Sequence, residues 1–305
     1  MDHPGQAANI GKNNKLKDYL QLTKPSLNIM VVFSSVISYL LAPRIVQYDL
    51  KMILLLFAGG FLVTGSANAI NMAVEKETDA KMKRTAKRPV ASGRMKPSEA
   101  WAFAVITGIT GVFILGFFFN LLSAGLALFS LFLYAFIYTP LKKVNSVAVL
   151  IGAFPGALPC LIGWAAGNDS LFEAGHGWKD YGGWILFAIQ FLWQFPHFWA
   201  IAWISHKDYS NAGFRLLPTE QGPTKMTALQ TIIYALLLLP VGVLPYVVKL
   251  SGFTSMVIVI IANLFLVMQC IRLYREMEAS AARRVMFSSY IYLPVVLLAL
   301  LADKL

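Results

Sequence analysis

The sequence predicts an all-α polytopic membrane protein, with nine transmembrane helices around a central cavity that opens to the cytoplasmic side. Three observations predict it. Of the 305 residues, 57% are hydrophobic and 13% charged, a balance that excludes an ordinary soluble domain. Apolar runs long enough to cross a bilayer recur nine times, near residues 27–42, 52–73, 99–119, 121–138, 144–167, 182–204, 226–248, 253–274 and 285–302. Charge is divided unequally across those runs: 21 of the 26 Lys and Arg lie on the side holding the N-terminus, where the net charge is +11, against zero on the other side. Positive loops stay in the cytoplasm, so an odd number of spans across the cell membrane puts the N-terminus in the cytoplasm and the C-terminus outside. The charge therefore reports orientation and contact with membrane lipids, and nothing in its pattern asks for nucleic acid.

Residues 1–18 read as a cytoplasmic tail, unstructured up to about Asn14, and residues 19–305 as one transmembrane domain. The tail lacks the apolar centre of a signal peptide, and with no Arg and two Asp it makes a poor transit peptide. Pro25 opens the first span, where a helix tolerates proline. The second span runs into the most unusual stretch of the chain, residues 71–93, NMAVEKETDAKMKRTAKRPVASG. On a continuing helix Asn71, Glu75 and Asp79 share one face within roughly 80°, joined by Asn68 one turn earlier, while Glu77 points away. An amide and two carboxylates in line form an all-oxygen set suited to Mg²⁺, which is held by one or two carboxylates together with phosphate oxygens. The cations that follow, among them Lys83, Arg84 and Arg88, suit the phosphates themselves. A plain topology-setting loop accounts for the lysines but leaves acids at helical spacing unexplained.

Ser98 before Glu99 resembles a cap for the third span, and the link near Asn120 is so short that the third and fourth spans must form a hairpin. Tyr134, Tyr138 and Lys142 recur every four residues at the end of the fourth span, with Pro140 interrupting them. Lys142 is either a positive-inside residue or a second contact to diphosphate. Gly152, Pro155, Gly156, Pro159 and Gly163 imply a kinked fifth span that packs closely or lines a cavity. The loop after it carries Asp169, Glu173, His176 and Asp180 on the outer side, and its lone histidine reads as inert. The sixth span carries a polar stripe of Gln190, Gln194, His197, Ser205 and Asp208 toward the cytoplasm, serving either a site or helix packing. Acidic loops after the second and sixth spans suggest a parallel duplication, each half supplying one loop to a shared mouth. Spans seven to nine are apolar apart from their ends, and residues 272–284 read as a polar linker. Cys160 and Cys270 fall within spans and read as small core residues.

These motifs resemble the intramembrane aromatic prenyltransferase (UbiA-type) superfamily, and within it the branch that farnesylates haem, from about Tyr19 to the C-terminus. The resemblance is carried by Asn71, Glu75 and Asp79, by Met82, Arg84, Thr85, Arg88 and Pro89, by YTPLKK at 138–143, by residues 193–218 and by the closing RVMFSSYIYLP at 284–294. There are two departures. Glu75 and Glu77 stand where family members usually have Asp, lengthening the ligand arms, and the second acidic motif is reduced to Asp208 near His206, as in the haem branch. The resemblance implies transfer of a farnesyl group from farnesyl diphosphate to a vinyl group of haem b, with water added. It implies Mg²⁺, or Mn²⁺ in its place, at Asn71, Glu75, Asp79 and Asp208, and diphosphate at Lys83, Arg84, Arg88 and Lys142. His197, Gln194 and Tyr138 become the haem contacts, and a haem A synthase or terminal oxidase assembly factor becomes a candidate partner. Two alternatives stay open: the same fold prenylating a quinone precursor or other aromatic acceptor, and a porphyrin or ion-coupled transporter.

Overall fold

The computed structural model describes residues 12–172, 181–219 and 221–305, with side chains from residue 15. The expected tail up to Asn14 lies mostly outside these residues, as do Glu173, His176 and Asp180. The first described helix, α1 (Lys12–Leu22), already includes the last residues assigned to the tail. After it come α2 (Pro25–Leu41), α3 (Leu50–Val74), the short α4 (Lys76–Ala80), α5 (Pro97–Phe118) and α6 (Leu121–Phe132). A π-helical turn at Leu133–Tyr138 leads into α7 (Thr139–Leu141) and α8 (Val147–Asn168). The second half holds α9 (Gly182–Ile204), the short α10 (His206–Asn211), α11 (Lys225–Val247), α12 (Phe253–Glu276) and α13 (Ala279–Ala302). Eight of these helices are long and apolar enough to cross a membrane, taking Leu121–Leu141 as one. The count reaches nine when the bent pair Lys15–Leu22 and Pro25–Leu41, broken by 44° at the residues before Pro25, is taken as one span.

Local chemistry explains the boundaries. Asp49 and Asn120 cap α3 and α6 by accepting from Lys51 N at 2.8 Å and Ser123 N at 2.7 Å. The α5–α6 hairpin is as tight as the sequence implied. The start of α5 differs from expectation: Pro97 occupies the first turn and Glu99 accepts from Lys96 N at 2.8 Å, so Ser98 is inside the helix rather than its cap. Residues 272–284, expected as a polar linker, are helical on both sides of a short break. They continue α12 and α13 around a turn at Met277, whose φ of 54° reverses the chain, with Arg284 paired to Glu276 across it.

The helices close into a ring. Packing between α3 and α5 relies on Gly111, where a Cβ would lie 2.7 Å from Gly59 O, the close backbone approach that small residues allow in membranes. On the other side a large apolar core joins α2, α8, α9 and α11–α13 through residues such as Trp164, Leu186, Leu238 and Leu266. The C-terminal Lys304 ties the ring shut by donating to Leu40 O, Ala42 O and Ile45 O at 2.7, 3.0 and 2.7 Å. Inside the ring lies a cavity of about 640 Å³, walled by α2, α3, α6, α8, α9 and α13.

Candidate active site

The site is built where α3 ends. Helical hydrogen bonding continues from Asn71 O to Glu75 N at 2.9 Å and from Glu75 O to Asp79 N at 2.7 Å, although Glu75 itself hinges between α3 and α4 at φ −91°, ψ 15°. Asn71, Glu75 and Asp79 therefore keep to one buried face, while Glu77 is exposed. The second acidic segment repeats the device. Ser205 hinges between α9 and α10 at φ −96°, ψ 12°, nearly the same conformation.

Each buried acid faces a cation. Glu75 Oε1 lies 2.6 Å from Lys142 Nζ, and Arg88 Nη1 donates to both carboxylate oxygens of Asp79 at 2.8 and 2.7 Å. Burial lowers the pKa of Lys142 from the usual lysine range, against the opposing pull of Glu75. Lys24, which the sequence reading passed over, donates from Nζ to Asn71 Oδ1 at 3.2 Å. Asn71 Nδ2 points to Thr139 Oγ1 at 3.4 Å, and Thr139 Oγ1 donates to Tyr134 O at 2.9 Å, so the amide's orientation is fixed along this chain. Asn68 Nδ2 donates to Thr23 O at 3.1 Å and holds the segment that carries Lys24. Lys24 adopts a left-handed conformation, φ 48°. Such strain, costing about 1–3 kcal/mol, concentrates at functional sites. It is the signal that the bare sequence hides.

Tyr134 and Tyr138 face the cavity below these charges, with ring centroids 5.3 Å apart, and Lys142 Nζ lies 4.9 Å over the Tyr138 ring. Pro140 has no N–H to continue the helix, and the wider π turn before it keeps both tyrosines and Lys142 on one side. Gly152 makes room for them: a Cβ there would meet the Tyr138 ring at 2.6 Å. Arg84 lines the cavity and donates to Tyr209 Oη at 3.0 Å. Tyr209, another residue that the sequence reading did not single out, lines it too. Lys83 is exposed and outside the cavity wall.

On α9, Gln194 and His197 line the cavity, but the hinge at Ser205 turns the expected stripe. Tyr209 follows that hinge by four residues, as Asp79 follows Glu75, and Asp208 is half-buried one position off that line. Among the described residues no three of His, Cys, Asp and Glu gather around one point, so Asp208 does not complete a three-carboxylate set with Glu75 and Asp79. The donors present still fit Mg²⁺ as a shared ion. Two buried carboxylates and an amide oxygen leave positions for phosphate oxygens, and Glu75 Oε1 has close contact with Lys142 but no well-directed hydrogen bond.

Comparison with known proteins settles the family. The sequence model of the UbiA prenyltransferase family matches residues 31–291. The chain belongs to the UbiA prenyltransferase family. This UbiA-family chain is 44% identical to the protoheme IX farnesyltransferase of Cytophaga hutchinsonii, over 96% of its own length and 99% of the relative's. It is 40% identical to the protoheme IX farnesyltransferase of Flavobacterium psychrophilum, over 94% of each. Its fold matches a structure of digeranylgeranylglyceryl phosphate synthase with a TM-score of 0.76 at 23% identity, covering 95% of this chain and 98% of that one. A UbiA homologue from Archaeoglobus fulgidus, bound to GPP and Mg²⁺, matches with a TM-score of 0.66 at 11% identity over 93% of this chain and 99% of the other. This UbiA-family chain is a prenyltransferase, and the transporter alternative falls away.

Proposed function

We propose that the protein transfers the farnesyl group of farnesyl diphosphate to a vinyl group of haem b, with addition of water, giving the hydroxyethylfarnesyl haem used by terminal oxidases. The observation that carries this reading is the near full-length likeness to protoheme IX farnesyltransferases of an enzyme whose buried acid–cation mouth stands over an aromatic cavity. Lys24, Arg84, Arg88 and Lys142 hold the diphosphate, with exposed Lys83 at the approach. Mg²⁺, or Mn²⁺ in its place, would be held by Glu75, Asp79 and the Asn71 amide oxygen, with Asp208 on the second acidic segment as a further candidate, and would supply Lewis acidity toward the departing diphosphate. When Arg88 and Lys142 change partner from carboxylate to phosphate, the charge released at the breaking C–O bond is met by groups already in place.

Below the mouth, the faces of Tyr134 and Tyr138 attract an allylic cation, and the apolar walls keep water from capturing it early. The vinyl carbon then forms the new C–C bond, and the cation left on the acceptor takes up water with loss of a proton. Gln194, His197 and Tyr138 line the space for haem. The N-terminus is cytoplasmic and the C-terminus outside the cell membrane, so diphosphate enters from the cytoplasm. A haem A synthase or an oxidase assembly factor receives the product.

The test uses purified full-length protein in detergent with Mg²⁺, farnesyl diphosphate and haem b, following products by mass. A farnesylated, hydrated haem that vanishes with chelator or with Asp79→Ala supports the reading. Prenylation of a quinone precursor in its place, with haem unchanged, would overturn the acceptor assignment.

A further inference from the structure

The polar groups that α9 turns toward the cavity differ in what is left to them. Gln190 Nε2 donates to Gly156 O at 2.7 Å and Gln194 Nε2 to Ala153 O at 3.0 Å, so the donor ends of both amides are committed to α8. His197 is not. Its ring lines the cavity and is held firmly: Trp193 stacks on it at 4.9 Å with an interplanar angle of 17°, and Tyr290 meets it edge-on at 5.0 Å. Trp193 is itself fixed, donating from Nε1 to Ser289 O at 2.8 Å.

Ser289 then decides the tautomer. Its Oγ lies 2.6 Å from Met286 O and 2.9 Å from His197 Nδ1. A carbonyl has no hydrogen to offer, so the contact to Met286 takes the hydroxyl's single hydrogen. Toward His197 the hydroxyl presents only lone pairs, and Nδ1 must donate. In a neutral imidazole Nε2 is then an unprotonated lone pair, and no hydrogen bond within the described protein engages it. A fixed ring whose other nitrogen donates to an oxygen is the arrangement found behind metal-ligating histidines.

Building on the haem reading above, we propose that His197 Nε2 binds the iron of the acceptor porphyrin as an axial ligand, with Ser289 as its positioning residue. His197 lies seven residues before the end of α9, about 10 Å along the helix axis from the point where the chain turns at Ser205. Iron ligation gives this cavity a means of choosing haem over the metal-free porphyrin, which carries the same vinyl groups.

The test compares binding of haem b and metal-free protoporphyrin IX to the intact protein in detergent, by absorption and fluorescence titration, in wild type, His197→Ala, Ser289→Ala and Ser289→Thr. Wild type should give a nitrogen-ligated haem spectrum and prefer haem by about tenfold or more. In His197→Ala that spectrum and the preference disappear while protoporphyrin affinity stays, and added imidazole restores the spectrum. Ser289→Ala weakens haem binding about tenfold without changing protoporphyrin binding, and Ser289→Thr, which keeps the hydroxyl, does not. An unchanged haem spectrum in His197→Ala, or equal losses for both porphyrins in Ser289→Ala, would overturn the proposal. A wild type that binds neither porphyrin and forms no haem product would count against the haem reading itself, a result distinct from loss of selectivity alone.

Discussion

Lys24 is held in a left-handed backbone conformation directly before Pro25, and its ammonium reaches Asn71. Replacing it with glycine separates the two features, because glycine adopts that conformation without strain but has no charge to offer. Lys24→Gly is expected to keep or raise thermal stability and to raise KM for farnesyl diphosphate about tenfold, the worth of one charge-assisted hydrogen bond. Steady-state kinetics beside a melting curve checks both. Lys142 makes a pH prediction. Its charged form is the one that meets Glu75 and the diphosphate, and charge is lost as pH rises through its pKa in the folded protein. Burial lowers that pKa, so the alkaline limb of activity should lie below the ordinary lysine range. In Lys142→Arg, which stays charged, the limb should vanish from a pH–rate profile even if the maximal rate falls.

The elements around the site turn on two backbone devices. The π turn at Leu133–Tyr138 aims two tyrosines and Lys142 at the cavity, and Gly152 on α8 leaves the space that Tyr138 fills. A Cβ at Gly152 collides with the ring itself, not with the end of a flexible chain. Gly152→Ala should therefore lower kcat with little loss of folded protein, because the helix gains propensity while the ring is displaced. The paired Glu75 and Ser205 hinges bring both acidic segments back over the cavity, and Met82 from one segment packs with Ala212 and Phe214 from the other. At this scale the sequence was legible in part. The spacing of Asn71, Glu75 and Asp79 survives in the fold because i→i+4 hydrogen bonds run through the hinge. The stripe from Gln190 to Asp208 does not survive intact, because a straight-helix count cannot anticipate the bend at Ser205.

Across the whole molecule, charge asymmetry makes a topology prediction. With the bent α1–α2 pair counted as one span, nine crossings would put the termini on opposite faces. Reporter fusions should place the N-terminus in the cytoplasm and the C-terminus outside. Reporters that place both termini on the same side would mean that the bent pair does not cross.

By itself the sequence determined the helical membrane class, the positions of seven spans to within three residues, and the acidic and cationic stretch at residues 71–93, while the last span begins six residues earlier than expected and the first is a bent pair from Lys15. These depend on composition, run length and helical period, all of which are local. Only the tertiary structure decided that Lys24 reaches Asn71 from 47 positions away, that Tyr209 and not Asp208 lines the cavity, and that Ser289 fixes the His197 ring across 92 positions. Those contacts arise from how separate helices bend and pack, and no periodicity along one helix encodes the partner that another will bring.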